Sequence, residues 1–201
     1  MANSVSGTST KADTIVEAAD SLFVRFGYRR TSMDDIAREI GVAKGTLYLY
    51  FTSKEALFRA VLARNLTEAE RLCDAAQKQG GDLSDQIFSQ LDAWFGTVLD
   101  HYGASGHLSE LSAARTSVGR EAVEVPDRAF EARLVGLIEA AQAEGRANLA
   151  STGLDSRQVI SVLLAAARGA KYSQGAAVTP DAFRASLKSI AQVFAAAIRK
   201  A

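Results

Sequence analysis

The sequence predicts an all-α fold, and three observations carry that expectation. Proline occurs only at positions 126 and 180. No alternating run of β-branched residues is bounded by hairpin turns, and alanine, leucine and charged residues recur at helical spacing throughout. The hydrophobic fraction of 48% and the charged fraction of 23% are ordinary for a folded chain, so a sizeable core is available without disulfide staples.

A first helix is expected from Thr10, where Thr10 and Asp13 form a capping box. Ile15, Ala18, Leu22, Phe23 and Phe26 then give one apolar stripe, and Gly27 suits the positive-φ position that ends a helix. Ser32 and Asp35 repeat the capping box for a second helix, with Met33, Ile36, Ala37 and Ile40 facing inward and Gly41 closing it. A short third helix covers roughly Ala43 to Tyr50. Thr52 and Glu55 are expected to cap a long fourth helix carrying Leu57, Phe58, Val61, Leu62 and Leu66. Past Gln79-Gly80-Gly81 the helices lengthen: about Ser84 to His101, His107 to Thr116, Pro126 to Glu144, Asp155 to Ala170 and Thr179 to Arg199. Pro126 is read as a first-turn residue, and Thr179-Pro180-Asp181 is a strong helix start.

Two short amphipathic helices around Gly41 make a helix-turn-helix candidate. The turn needs positive φ, which glycine provides. Val42, Leu47 and Phe51 anchor the third helix, leaving Gly45 and Leu49 outward, Lys44 and Tyr48 on one flank and Thr46 and Tyr50 on the other. That face suits a major groove. Gly45 lets the backbone approach base edges, Lys44 can donate to guanine, Thr46 can pair with several edges, and Leu49 can cover a thymine methyl or be a lone exposed apolar residue. Tyr48, Tyr50 and Lys54 offer phosphate contacts, as do the amides and hydroxyls of Thr31 and Ser32 at a helix N-terminus. Net charge over the chain is zero, yet Arg25 to Lys54 holds six basic and three acidic residues, a local excess of three positive charges. Arg29 and Arg30 read as a solvated turn, and Arg38 as the partner of a nearby acid.

The runs Phe26-Gly27-Tyr28, Thr31-Ser32-Met33-Asp34-Asp35-Ile36-Ala37, Gly41 through Phe51, and Ser53-Lys54-Glu55-Ala56-Leu57 resemble the DNA-binding domain of TetR-family regulators. The likeness covers about residues 12 to 62. It implies that Thr31 and Ser32 touch phosphate, that Lys44, Gly45, Thr46 and Leu49 face the bases with Ala43 also in the DNA-binding set, and that Tyr48, Tyr50 and Lys54 clamp the backbone. It also implies a homodimer on a palindromic or near-palindromic double-stranded operator, an effector pocket in the C-terminal part, and repression. The expected division is a helix-turn-helix domain at 1–53 and an effector-binding and dimerisation bundle at 54–201.

In that bundle, Phe88, Trp94, Phe95, Tyr102, Phe130 and Tyr172 are either plain core or, with His101, His107 and Arg168, the lining of an effector cavity of unknown ligand. The dimer interface is expected on the last two helices, through Val159, Val162, Leu163 and Ala166 on one and Phe183, Leu187, Ile190 and Phe194 on the other, as an intermolecular four-helix bundle. An enzyme is not expected, because no nucleophile, base or metal cluster stands at recognisable spacing. His101 and His107 lie six apart, not at a metal-ligand spacing, and no metal or cofactor is implied. Cys73 stands alone, so no internal disulfide forms. Met1 to Thr10 has no apolar core of a signal peptide, and Val159 to Ala167 is too short to span a bilayer, so a soluble cytoplasmic protein is expected.

Overall fold

The computed structural model describes residues 10–172 and 179–199, the side chains of Ala104 and Tyr172 excepted. Its helices are α1 (Lys11–Phe26), α2 (Met33–Glu39), α3 (Lys44–Tyr50), α4 (Lys54–Gln79), α5 (Leu83–Leu91), α6 (Thr97–Tyr102), α7 (Leu108–Ser117), α8 (Arg120–Ala143), α9 (Ser156–Gly169) and α10 (Pro180–Ala197). The fold class is all-α, as expected, and no strand occurs among the described residues. None of the described helices is long and apolar enough to cross a membrane.

Local chemistry sets most boundaries. Thr10/Asp13, Ser32/Asp35 and Asp155/Gln158 each form a reciprocal capping box, satisfying amides that the helix leaves unpaired. Two starts differ from expectation. Ser53, not Thr52, caps α4, its hydroxyl accepting from the amide of Ala56. Helix α8 begins at Arg120, so Pro126 lies inside it rather than in the first turn. The amide that proline lacks is lost on a side where Val125 is 74% exposed, and water can satisfy the freed carbonyl there. The run expected as one helix from Ser84 is α5 and α6 joined by a π-helical turn, Asp92–Gly96, which delivers Trp94 and Phe95 to the interior. Arg184 of α10 holds that turn and α6 together, donating to Asp92 (2.9 Å) and Asp100 (2.5 Å).

Two apolar clusters divide the core. The first joins Phe23, Ile36, Leu47, Leu57, Phe58 and Val61, with Tyr28 and Phe58 at 4.8 Å between ring centres. Tyr102, Leu111, Ala114 and Val123 from beyond α4 complete this cluster. The second gathers Leu91, Phe95, Leu134, Ile138, Leu163, Phe183 and Leu187. Each such side chain, fully buried, stabilises by about 1.5–3 kcal/mol relative to exposure. Helix α4 supplies both clusters, ending in the second with Ala69 and Cys73. Burial pushes the Cys73 thiol up to about 11, so it is an inert packed group.

The expected dimer stripe is corrected here. Val159, Leu163, Phe183 and Leu187 are buried within the protomer, because α9 and α10 turn their most apolar faces onto α8 and α5. Hydrophobic periodicity finds the strongest stripe, and that stripe is spent on the chain's own core. Of the expected residues Val162 is exposed, while Ala166, Ile190 and Phe194 are half-buried; Val193, not foreseen, is 66% exposed.

At Gly27 the backbone has φ +82°, and an added Cβ would lie 2.7 Å from Oε2 of Glu110 on α7. Gly27→Ala is therefore expected to lower stability by about 1–3 kcal/mol in urea denaturation. Adding Glu110→Ala should restore only the steric part of that loss; full recovery would show that backbone strain contributes nothing.

Candidate DNA-reading helix and ligand cavity

Helix α3 is held by Leu47, which is fully buried, with Val42 and Phe51 half-buried beside it. Gly41 makes the preceding turn at φ +68°. The opposite face is open. Leu49 is 85% exposed, Tyr48 and Tyr50 are exposed, and nothing lies within 4 Å of a Cβ built on Gly45. Thr46 is half-buried and Ala43 is the N-cap, without a side-chain cap. Lys44 is exposed and paired with Asp34 of α2 at 2.7 Å; that hydrogen bond holds the ammonium above its ordinary range. Arg38 pairs with Asp35 (3.1 Å), as expected.

Three expected phosphate donors are engaged otherwise. Thr31 is buried, and its hydroxyl donates to the carbonyls of Gly27 (2.8 Å) and Leu22 (3.3 Å), tying off the end of α1. Ser32 donates both its hydroxyl (2.6 Å) and its amide (3.0 Å) to Asp35, whose carboxyl this holds below the usual range. Lys54 donates to the carbonyl of Tyr28 (2.9 Å), its ammonium 4.4 Å from that ring's centre. In each case an unpaired backbone or capping group lies nearer than any external partner, and an intramolecular bond satisfies it.

A cavity of about 660 Å³ lies between α4, the π turn, α6, α7 and the end of α9. Trp94, Phe95, His101, Tyr102 and Arg168 line it. Phe130 does not; it stacks behind Trp94 at 4.5 Å and 4° between planes. Phe88 packs against the second core cluster instead. His107 sits outside the cavity, where its Nδ1 is 3.8 Å from Glu110 and 3.1 Å from the Cβ position of Gly27. The side chain of Tyr172 lies outside the described residues. Lining residues not foreseen include Leu62, Asn65, Leu66, Arg115, Asp127 and Lys171.

One buried acid joins the two regions. Asp20 on α1 is 1% exposed and accepts from Arg64 Nη2 (2.5 Å), His101 Nε2 (2.9 Å) and the Tyr102 hydroxyl (2.9 Å). The Asn65 amide donates to that hydroxyl in turn (2.7 Å). His101, Tyr102 and Asn65 all line the cavity, so its polar end is bonded directly to the first helix. Burial, then the Asp20 charge, raises the Tyr102 hydroxyl far above its ordinary range. A signal for Asp20 exists in sequence: it stands four residues after Val16, on a core-facing stripe where an acid needs partners. A second link is made by Glu110 of α7, which accepts from the Arg29 amide at 2.6 Å. Among the described residues, no group of three or more His, Cys, Asp and Glu could hold a metal ion.

Residues 15–61 match the family described as bacterial regulatory proteins, tetR family. Over this N-terminal segment the chain is similar to the TetR family. An uncharacterized HTH-type transcriptional regulator of Bacillus subtilis, YhgD, is 35% identical over 79 residues, 39% of this chain and 41% of that relative. The match thus spans about two fifths of the curated relative's length. Over nearly the whole chain the fold is shared with solved structures. A transcriptional regulator from Cytophaga hutchinsonii matches at TM-score 0.72 and 22% identity, covering 94% of this chain and 99% of that one. A putative transcriptional regulator from Saccharomonospora viridis, solved in complex with choline, matches at TM-score 0.71 and 19% identity, covering 90% and 95%. The TetR family and these neighbours are regulators, not enzymes.

The Asp20 hydrogen bond raises His101 above its ordinary 6.5, outweighing the opposing effect of burial. A raised folded-state pKa means this stabilisation is complete below about pH 6.5 and is lost as pH rises through the higher folded value. The urea-midpoint gap between wild type and His101→Gln should therefore be widest near pH 6 and narrow towards pH 9. A gap that widens with pH would reverse the assignment.

Proposed function

We propose that the chain is a sequence-specific DNA-binding transcriptional regulator, a cytoplasmic repressor that a small-molecule effector releases from its operator. The observation that carries this is the open face of α3: Gly45 with free space above it, Leu49 exposed, and Lys44, Tyr48 and Tyr50 around them. Lys44, Gly45, Thr46 and Leu49, with Ala43 at the helix start, would meet base edges, and Tyr48 and Tyr50 the phosphates. Thr31, Ser32 and Lys54 would act chiefly by fixing the α1–α2 and α3–α4 connections that aim this face. Residues 1–53 would carry the DNA contacts and residues 54–201 the effector and dimer functions.

Two copies would present two reading helices about 34–36 Å apart to successive major grooves of a near-palindromic site. The dimer would form on the faces of α9 and α10 left uncovered, at Val162, Ala166 and Val193. The solved relative in complex with choline supports a small molecule as effector. An effector preferring a different spacing of the reading helices would shift the population from the DNA-competent state. The bonds from Asp20 to α4 and α6, and from Glu110 to Arg29, offer the route.

With duplexes enriched from a random pool, Lys44→Ala and Tyr48→Ala should each lose operator affinity by roughly tenfold or more, about 1.4 kcal/mol, while the oligomeric state is unchanged. Wild-type anisotropy titrations for both would contradict the assignment. Val193→Asp, a surface change within the protomer, should shift the chain towards monomer in sedimentation velocity; an undisturbed dimer would move the interface elsewhere.

A further inference from the structure

The charges around the cavity are paired at all but one place. Glu68 is bonded by Arg71 (2.7 and 2.8 Å), Asp100 by Arg184 (2.5 Å), and Asp127 by Arg115 (2.7 Å). Arg168, in the last turn of α9, and Lys171, just beyond it, line the same cavity without a salt bridge among the described residues; Asp127, already bonded to Arg115, acts on Lys171 only at longer range. The other walls are apolar, with Trp94 and Phe95 on one side and Leu62 and Leu66 on the other.

We propose that the cavity takes an apolar molecule bearing a single anionic head group, a carboxylate in the simplest case, whose head meets Lys171 and Arg168 while its body lies along Trp94, Phe95, Leu62 and Leu66. This names the ligand class of the cavity and rests on its assignment as the effector site. A carboxylate there would gain charge-assisted hydrogen bonds from two donors, the exposed Arg168 and the half-buried Lys171, neither of which is held in a salt bridge among the described residues. Burial, with the guanidiniums of Arg115 and Arg168 nearby, outweighs the opposing charge of Asp127 and lowers Lys171 to about 8, and a bound anion would reverse that cost. A cationic ligand is disfavoured on the same grounds. It would face Lys171 and Arg168, and the Phe95 ring already carries a cation, the Lys171 ammonium lying 5.1 Å from its centre. The volume of about 660 Å³ suits a molecule of drug or lipid-chain size.

The chain's single tryptophan, Trp94, is in the cavity wall, so its fluorescence reports occupancy directly. Full-length protein titrated with dodecanoate, dodecanol and dodecyltrimethylammonium, all below micelle-forming concentrations, compares three heads on one body. Dodecanoate should saturate the signal with at least about tenfold higher affinity than either other probe. Lys171→Met and Arg168→Gln should each weaken dodecanoate by roughly fivefold or more and leave dodecanol within about twofold. Dodecanol or the ammonium binding as tightly as dodecanoate would overturn the proposal. So would no saturable change with any probe, or a dodecanoate preference untouched in both variants. Operator release is read separately, by anisotropy on the same samples. Saturable dodecanoate binding that leaves the operator bound would support the ligand class and sink the effector reading alone.

Discussion

A carboxylate buried at the junction of α1, α4 and α6 constrains the rest of this structure. Asp20 is almost entirely removed from water, and an ion so placed must be matched by donors or expel its neighbours. Three donors reach it, from Arg64, His101 and Tyr102, and Asn65 secures the tyrosine hydroxyl. Those donors lie on helices far apart in sequence, so the bonds fix how the first helix sits on the long fourth helix and on the wall of the cavity. An apolar side chain at position 20 could pack in several ways. A buried charge tolerates very few.

The cavity and the first helix are thereby connected through short, stiff elements. Helix α7 has two sides: Leu111 and Arg115 border the cavity, and Glu110 bonds the Arg29 amide beside Gly27. Gly27 is required twice over at that seam, by its positive φ and by the closeness of Glu110. Helix α4 runs from the first core cluster to the second, with Leu62, Asn65 and Leu66 facing the cavity between them. Displacement of either helix must be felt at the α1–α2 turn, because close-packed interfaces do not deform continuously.

Near the open face of α3, several groups that look like phosphate donors in sequence act as internal fasteners. Thr31, Ser32 and Lys54 satisfy carbonyls and a capping acid within the chain. Residue type at the right position does not tell an exposed donor from a satisfied one; only the surrounding backbone does. The same ambiguity explains the dimer stripe. Val159, Leu163, Phe183 and Leu187 read as an interface because they are the most apolar line on their helices, yet the protomer's own core takes them.

Sequence by itself determined the all-α class, the main helix starts through their capping boxes, the turn at Gly41, and the outward set around Gly45 and Leu49. These depend on residues within a few positions of one another, where hydrogen-bond geometry and the 3.6-residue period act directly. It also pointed to Trp94, Phe95, His101, Tyr102 and Arg168 as a group, since aromatic and polar residues mixed on helices signal a pocket. Tertiary structure alone decided that Asn65, Arg115, Asp127 and Lys171 join them, that His107 leaves for the seam with Gly27, and that Asp20 binds the first helix to the cavity. Those outcomes turn on which faces of distant helices meet, and on the requirement that buried charge find partners, neither of which is written into any local stretch of the chain.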